Sequence, residues 1–280
     1  MKCAWQEFIR LVPQRMREEV DKCSRDILQE FRLRIGQAPT LVTKNGTRTL
    51  KDDVRSEDLK FVINTASQYS PWSASTAGQG YITAMGGHRI GICGDCVVQQ
   101  GSVSGIRTPT SLCIRIARDF PGIAADAVHY NTSVLIIGPP GSGKTTLLRD
   151  LIRQRSHFEN VAVVDERCEL FPLVHGASAF ESGTSTDILT GCTKNAGITM
   201  LLRTMGPSTI AVDEITQEED CKALISAAWS GVRLLATAHA TSKEDLLCRP
   251  IYRPLIQRRL FDILLVLQPD KSWKAERATP

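Results

Sequence analysis

Five short segments in the second half of the chain are apolar almost throughout. They read SVLIIG, NVAVVDE, STIAVDE, RLLATAH and FDILLVLQ. Runs without a polar residue at every second position are typical of parallel strands that are covered on both faces. Segments with helical spacing separate them, and this alternation predicts a doubly wound α/β domain with a mostly parallel sheet.

The residues before these segments follow a mixed α+β pattern. Residues 4–34 carry apolar positions at mostly helical spacing, with one proline break. Asn45-Gly46 lies between two β-like runs and predicts a hairpin, and a further helix is expected from Ser56. The β-rich runs of residues 80–118, split by glycine turns, predict a small antiparallel sheet.

The stretch DFPGIAAD marks the expected boundary between these two parts. Pro121 and Gly122 interrupt regular structure there. A chain of 280 residues is long enough for two modest domains. We therefore expect a smaller α+β domain over residues 1–126 and an α/β domain over residues 127–280.

The turn after the first strand of the second domain matches the phosphate-binding pattern G-x-x-x-x-G-K-[ST] at every fixed position. Glycines let backbone N–H groups surround phosphate oxygens, and the following helix points its positive end at them. Lys144 is expected to reach the β- and γ-phosphates, and the Thr145 hydroxyl to bind Mg²⁺. The predicted nucleotide-binding residues are Gly138, Pro139, Pro140, Gly141, Ser142, Gly143, Lys144, Thr145 and Thr146.

The strand STIAVDEI ends in a pair of acids. Asp213 is expected to hold Mg²⁺ through its water shell, and Glu214 is placed to polarise an attacking water. The extra glutamate favours hydrolysis over transfer to a second substrate. A surface acidic turn is the alternative interpretation of such a pair.

The strand NVAVVDERCEL repeats this pattern and ends in Asp165-Glu166-Arg167. Neighbouring parallel strands bring such residues to one edge of the sheet, so either acid is a candidate for the water-activating role. The alternative is a salt-bridged turn that uses Arg167. If Arg167 engages Glu166 and lowers its basicity, Glu214 is the better base and Glu166 the second candidate.

The strand RLLATAHA ends in Thr237 and His239, which are candidates for sensing the γ-phosphate, although a lone histidine is often structural. Guanine selectivity usually needs Asn/Thr-Lys-x-Asp. Residues 193–196 read TKNA and lack the aspartate. The expected nucleotide is therefore ATP, with Mg²⁺, rather than GTP.

Composition and charge argue against a nucleic-acid-binding, a membrane-spanning and a secreted protein. The net charge of +4 and the pI of about 8.6 are too weakly basic to indicate nucleic acid. No apolar run approaches the ~18 residues of a membrane span, and the N-terminus lacks a signal-peptide core, so we expect a cytoplasmic protein. Nine cysteines, an odd number, suit reduced thiols. The close pair Cys93 and Cys96 is either a metal or redox site or two small residues near a turn.

The four strand-end motifs in this order resemble those of the secretion and pilus ATPases: a Walker A loop, an acidic box, a Walker B strand and a histidine box. More specifically, the chain resembles the stage III sporulation protein AA family of endospore-forming bacteria. The stretches that carry this resemblance are YITAMGGHRIGICG, CIRIARDFPG, VVDERCEL, TDILTGCTKNAGITMLLRTMGPSTIAVDEI and SGVRLLATAHATSKEDLLCRP.

The resemblance implies a RecA-like P-loop ATPase that acts in the cytoplasm of the mother cell. It also implies a role in powering a secretion-like channel complex of membrane proteins, and a ring of identical subunits, hexameric in its relatives. The histidine box departs from the pattern, since it reads Thr-Ala-His-Ala instead of Thr-Leu-His-Thr, and Pro140 and Ser142 lie where other members vary. Neither change removes a ligand. The implied nucleotide site comprises Gly138 to Thr146, Asp213, Glu214, Asp165 to Arg167 and His239.

Two other functions fit a phosphate-binding loop. A nucleic-acid-dependent ATPase of the recombinase or helicase type needs a basic stripe with stacking aromatics. Aromatic residues are only 6%, and the arginine clusters at Arg253, Arg258 and Arg259 are short, so no direct nucleic-acid partner is expected. A small-molecule kinase needs an acceptor pocket and a lid.

A ring could use an arginine from one subunit to stabilise phosphoryl charge in the next. The sequence does not choose among several candidates. They are Arg89, Arg107, Arg115 and Arg118 in the predicted N-terminal sheet, and Arg203 near the second core.

Overall fold

The computed structural model of the chain describes residues 2–67, 80–99, 102–174 and 176–278. Two units are present, each with its own hydrophobic core. The first unit comprises Met1–Asp119 and Leu173–Phe180. The second unit comprises Phe120–Pro172 and Glu181–Pro280.

The division differs from the expected boundary at residue 126, because residues 120–126 lie in the second unit. The backbone N–H groups of Gly122 and Ala124 donate hydrogen bonds of 3.1 and 2.8 Å to the carboxylate of Asp150. Asp150 is buried, and a buried carboxylate requires such donors. A second difference is that the chain leaves the second unit and contributes Leu173–Phe180 to the first.

The described residues form strands and helices with the following bounds. The strands are β1 (Leu28–Arg34), β2 (Thr40–Thr43), β3 (Gly46–Thr49), β4 (Tyr81–Thr83), β5 (Arg89–Gln99), β6 (Ser102–Arg115), β7 (Val134–Ile137), β8 (Val161–Asp165), β9 (Leu173–Val174), β10 (Ala177–Ser178), β11 (Thr186–Thr190), β12 (Thr209–Val212), β13 (Arg233–Ala238), β14 (Ile263–Leu267) and β15 (Trp273–Arg277). The helices are α1 (Trp5–Leu11), α2 (Arg17–Asp21), α3 (Ser56–Ser67), α4 (Lys144–Arg155), α5 (Lys194–Thr204), α6 (Glu218–Trp229), α7 (Lys243–Cys248) and α8 (Arg253–Gln257). Within this part of the chain, no helix is both long enough and apolar enough to cross a membrane.

An antiparallel sheet in the order β3-β2-β1-β6-β5-β4 forms the centre of the first unit. Side chains from α1, α3 and the sheet share one buried core, which includes Phe8, Phe31 and Leu59. The predicted hairpin is confirmed, since Thr43 pairs with Gly46 and only two residues separate β2 from β3. The helix from Ser56 and the antiparallel strands of residues 80–118 are also confirmed, with residues 100–101 outside the described part.

The helical interpretation of residues 4–34 is wrong at its end, where the chain forms β1. The pairing of β1 with β2 shifts register between Leu28 and Glu30, as a β-bulge does. Leu28, Phe31 and Leu33 are all buried. Leu28 and Phe31 are three residues apart, a spacing that imitates one turn of a helix.

A sheet in the order β11-β8-β12-β13-β7-β14-β15 forms the centre of the second unit. All neighbours pair in parallel except β15, which is antiparallel to β14. The five predicted strands are confirmed as β7, β8, β12, β13 and β14, and the edge strands β11 and β15 were not predicted. Because the inner strands are parallel, the carboxyl ends of β7, β8, β12 and β13 lie at one edge of the sheet.

Candidate functional site

The glycine-rich loop lies between β7 and the start of α4, at this carboxyl edge. Gly141 and Gly143 have φ angles of +75° and +107°, which glycine adopts at little cost. Gly138 is constrained by space instead, because a Cβ atom there would lie 2.6 Å from Oγ of Ser142. The loop therefore requires glycine at these three positions for two different reasons.

Lys144 begins α4, and its side chain is buried inside the loop. Its ammonium group donates to the carbonyl oxygens of Gly138 and Pro139, both at 3.0 Å, and to Nδ1 of His239 at 3.0 Å. Burial lowers the pKa of Lys144, although Asp213 and Glu214 act in the opposite direction. The lysine thus links the loop to the end of β13.

The ring of His239 forms hydrogen bonds through both of its nitrogen atoms. A lysine ammonium only donates, so Nδ1 of His239 accepts and Nε2 carries the proton. Nε2 then donates to Oε1 of Glu214. His239 therefore bridges Lys144 and Glu214 through its two ring nitrogens.

Asp213 follows β12 directly and accepts hydrogen bonds from two hydroxyl groups. Thr145 donates to Oδ2 at 2.7 Å, and Thr237 donates to Oδ1 at 2.6 Å. The Thr237 hydroxyl also accepts a bond of 2.7 Å from the backbone N–H of Glu214. The structure thus brings together one residue from α4, two acids after β12 and a threonine of β13.

Glu214 is the next residue and has a positive φ of 54°. A non-glycine residue in this region typically carries backbone strain of about 1–3 kcal/mol, and such strain is common at functional sites. Its carboxylate accepts from His239 and pairs with Arg167. Burial raises the pKa of Glu214, but the hydrogen bond from His239 and the charge of Arg167 outweigh it, so the net pKa is lowered.

The acids at the end of β8, Asp165 and Glu166, do not share this position. Asp165 is buried, and accepts from the backbone N–H groups of Glu169 and Phe171, both at 2.8 Å. Burial raises the pKa of Asp165 to about 6, against the effect of the backbone N–H groups of Phe171 and Leu170. Glu166 pairs with Lys194 at 2.6 Å.

The alternative in which Arg167 engages Glu166 does not hold in the structure. Arg167 pairs with Glu214 instead, because β8 and β12 are adjacent in the sheet and adjacent residues on a turn need not face each other.

A cleft of about 380 Å³ opens at this edge of the sheet. Glu169 lines it and was not predicted from the sequence. The hydrogen bond from its backbone to Asp165, four residues earlier, closes the turn and brings Glu169 back to the cleft. The lining residues are Pro140, Gly141, Gly143, Lys144, Thr145, Thr146, Arg167, Glu169, Asp213, Glu214, Thr237 and His239.

The chemistry of this lining fits a magnesium–nucleotide complex. Backbone N–H groups of the loop, the α4 N-terminus and Lys144 supply donors for phosphate oxygens. The side chains of Thr145 and Asp213 supply oxygen atoms, which are the ligands that Mg²⁺ prefers. The remaining predicted loop residues, Gly138, Pro139 and Ser142, do not line the cleft but stabilise the conformation of the loop. The carbonyl oxygens of Gly138 and Pro139 accept from Lys144, and the Ser142 N–H donates to the carbonyl oxygen of Pro139.

The arginine candidates for action between subunits have different surroundings. The guanidinium of Arg118 donates to the carbonyl oxygens of Arg25 and Leu28, which gives it a structural role in the first unit. The guanidinium of Arg89 lies 4.0 Å from the ring centre of Tyr81. The others are Arg107 and Arg115 on β6 and Arg203 in the last turn of α5.

Cys93 and Cys96 lie on β5 beside two register shifts, and both are exposed free cysteines. Across the described residues, no group of three or more His, Cys, Asp or Glu side chains is arranged to hold a metal ion. The geometry thus adds no further ligand to this pair.

The chain matches one known protein family over nearly its whole length. The model of the family described as "Sporulation stage III, protein AA" matches residues 4–276. The chain belongs to this family. Stage III sporulation protein AA of Bacillus subtilis (strain 168) is 36% identical over 257 residues, which cover 88% of this chain and 84% of that protein.

Two solved structures that share the fold are a pilus retraction motor and an ATPase. The pilus retraction motor PilT, solved with bound ADP, superposes with a TM-score of 0.61 at 15% identity, over 89% of this chain and 76% of PilT. The ATPase DotB of Legionella pneumophila gives 0.56 at 17% identity, over 94% of this chain and 78% of DotB. The second unit therefore has the RecA-like P-loop fold that the sequence predicted.

Proposed function

We propose that this chain is an ATP-hydrolysing motor subunit that powers a secretion-like, membrane-associated channel complex during endospore formation. The observation that carries the proposal is the hydrogen-bonded set of Thr145, Asp213, Thr237 and Glu214 beside the glycine-rich loop. It places a hydroxyl and a carboxylate for Mg²⁺ next to a second carboxylate in one cleft. Family membership and the fold of secretion ATPases support the same function.

The residues of the cleft divide the work of hydrolysis. The loop N–H groups and Lys144 bind and orient the phosphates. Bound Mg²⁺ would neutralise phosphate charge, with Thr145 and Asp213 holding it. Glu214 orients the attacking water and accepts its proton, and His239 fixes the direction of that carboxylate.

Selection of ATP over GTP is consistent with the position of Lys194. In the segment TKNA this lysine is buried, pairs with Glu166 at 2.6 Å and lies 3.6 Å from Asp220. It is held by these carboxylates and is not free to read a base. The segment lacks the aspartate of the guanine-binding pattern, and its lysine is occupied in ion pairs with Glu166 and Asp220.

The proposal includes a ring of identical subunits, with the hexamer as the expected form, and membrane proteins of a sporulation complex as partners. It places the chain in the mother-cell cytoplasm, bound to the membrane through those partners. These parts rest on the family and on the likeness to secretion ATPases.

The test is ATP turnover by the purified chain with Mg²⁺. Lys144→Ala should abolish it, because the phosphates lose their buried cation. The matched control is Lys222→Ala, an exposed lysine of α6 in the same unit, which should leave turnover unchanged. Unchanged turnover in Lys144→Ala would contradict the site.

Single-stranded DNA in the same assay tests the nucleic-acid-dependent alternative. The guanidinium of Arg258 lies 5.8 Å from the ring centre of the exposed Trp229, so one face of this aromatic residue has a cation of its own chain beside it. We expect no stimulation by DNA. A large stimulation would favour a recombinase-like or helicase-like function.

A further inference from the structure

Arg167 lines the nucleotide cleft and reaches across it to the carboxylate of Glu214. About half of its side chain, 52%, is exposed, whereas Glu214 retains 24%. The guanidinium thus lies beside the cleft, within reach of both the solvent and a bound molecule. Its present partner is the residue that the proposed function uses to orient water.

Two contacts hold the turn that carries Arg167. The preceding residue, Glu166, is paired with Lys194, whose side chain is only 4% exposed. Asp165 accepts hydrogen bonds from the backbone N–H groups of Glu169 and Phe171, which follow Arg167 in the chain. The backbone of Arg167 is therefore held, while its long side chain can change partner.

A second layer supports the same turn from α4. The guanidinium of Arg149 donates to the carbonyl oxygen of Leu170 at 2.7 Å and to that of Glu169 at 2.8 Å. Because α4 begins at the phosphate loop, the turn and the loop are joined through one helix. These contacts hold the backbone of the turn at a fixed position relative to the phosphate loop, and only the Arg167 side chain is left to move.

A guanidinium binds phosphate oxygens with two parallel hydrogen bonds and is therefore well matched to a terminal phosphate. Phosphoryl transfer often uses an arginine for this purpose, and the arginine can come from the same subunit. A phosphate that carries more negative charge than one carboxylate competes with Glu214 for Arg167.

We propose that Arg167 is the arginine that binds the γ-phosphate, that it acts within its own subunit, and that it leaves Glu214 to do so. This inference rests on the proposed function and concerns an arginine that is not among the five candidates from the sequence. A single exchange of partner then has two effects. It brings a positive charge to the phosphate, and it frees one oxygen of Glu214 for the water.

Equilibrium binding of two nucleotides tests the proposal without hydrolysis. ADP lacks the γ-phosphate, whereas AMP-PNP is a non-hydrolysable analogue that contains it. Arg167→Ala should weaken AMP-PNP about 10- to 100-fold and leave ADP within about 2-fold, because only one ligand loses a charge-assisted contact. Arg167→Lys should recover part of the loss, since it keeps the charge but not the paired hydrogen bonds.

The matched control is Arg277→Ala, an exposed arginine at the end of β15, which should bind both nucleotides as the wild type does. Equal weakening of ADP and AMP-PNP by Arg167→Ala, or no weakening of either, would overturn the inference and leave the proposed function standing. If the wild type binds neither nucleotide, the proposed function fails as well.

A mixing experiment separates action within a subunit from action between subunits. Lys144→Ala subunits keep Arg167 but lack the phosphate lysine, and Arg167→Ala subunits keep the lysine. If Arg167 acts within its own subunit, a mixture of the two variants gives no more ATP turnover than the sum of the separate proteins. Recovery of turnover well above that sum would show that Arg167 serves a neighbouring subunit, and would contradict the inference.

Discussion

The hydroxyl group of Thr237 donates a hydrogen bond of 2.6 Å to the carboxylate of Asp213. The same hydroxyl accepts a bond of 2.7 Å from the backbone N–H of Glu214. Thr237 is fully buried near the end of β13, beside the strand that carries both acids. One side chain thus sets the orientation of the proposed metal-binding acid and the backbone of the proposed water-orienting acid.

Thr237→Val keeps the shape of the side chain but removes this hydroxyl. We expect the free energy of unfolding to fall by about 1–3 kcal/mol, because a half-buried carboxylate oxygen and a half-buried N–H lose their partner. ATP turnover should fall with it. Thr237→Ser retains the hydroxyl and should stay near wild type in both urea unfolding and turnover. Equal behaviour of the two variants would show that the hydroxyl has no such role.

Glu214→Gln should bind ATP normally and hydrolyse it slower by roughly 10²-fold or more, because glutamine keeps the shape but cannot accept the proton. Glu166→Gln should have a milder effect, since its carboxylate is paired with Lys194. Single-turnover hydrolysis at saturating ATP, beside a binding titration, measures both. If Glu166→Gln is the inactive variant and Glu214→Gln still turns over, the base lies on the turn after β8.

Lys194→Met should destabilise the second unit. Lys194 is 4% exposed and lies between the carboxylates of Glu166 and Asp220, so its removal leaves negative charge without its cation. We expect a loss of about 3 kcal/mol in the free energy of unfolding. The double variant Lys194→Met/Glu166→Gln should regain part of it. No recovery in the double variant would indicate that Asp220 is the partner that matters.

His88 should make the first unit sensitive to acid. Nε2 donates to the carbonyl oxygen of Ala4 at 2.9 Å, and Nδ1 accepts from the N–H of Ala117 at 3.1 Å, so the folded state holds the neutral ring. Burial lowers the pKa of His88 to about 4. Since this lies below the ordinary value of 6.5, the stabilising contribution is complete above pH 6.5 and is lost as the pH falls towards 4.

Between pH 6.5 and 4.5 this loss amounts to about 2 kcal/mol. Urea unfolding of wild type and His88→Gln at the two pH values measures it, because glutamine keeps a donor and an acceptor but does not titrate. The difference in stability between the two proteins should shrink as the pH falls. A constant difference would mean that folding does not change the pKa of His88.

The strand-end motifs could be predicted from the sequence because buried parallel strands are recognisable as uninterrupted apolar segments. Their ends meet at one edge in any doubly wound sheet, so Lys144, Asp213 and His239 were expected together. The edge strands escaped prediction for the opposite reason. Thr186–Thr190 and Trp273–Arg277 are partly exposed and contain polar residues, so neither stands out as an apolar run.

The partners of Arg167 and Asp165 could not be predicted in the same way. Whether Arg167 faces Glu166 or Glu214 depends on which strand lies beside β8, and the sequence does not give strand order. The burial of Asp165 depends on a turn in which Cys168 adopts a φ of +54°. A cysteine in that conformation has no recognisable sequence signal.

The segment Leu173–Phe180 belongs to the first unit but is synthesised after part of the second unit. Domains commonly fold as they emerge from the ribosome, the N-terminal one first. Here the first unit receives its last segment only after β7, α4 and β8 of the second unit have been made. A fragment that ends at residue 126 lacks that segment, and a fragment that starts at residue 127 carries it without the unit it belongs to. Neither unit, as the structure divides the chain, is therefore a single continuous segment of the sequence.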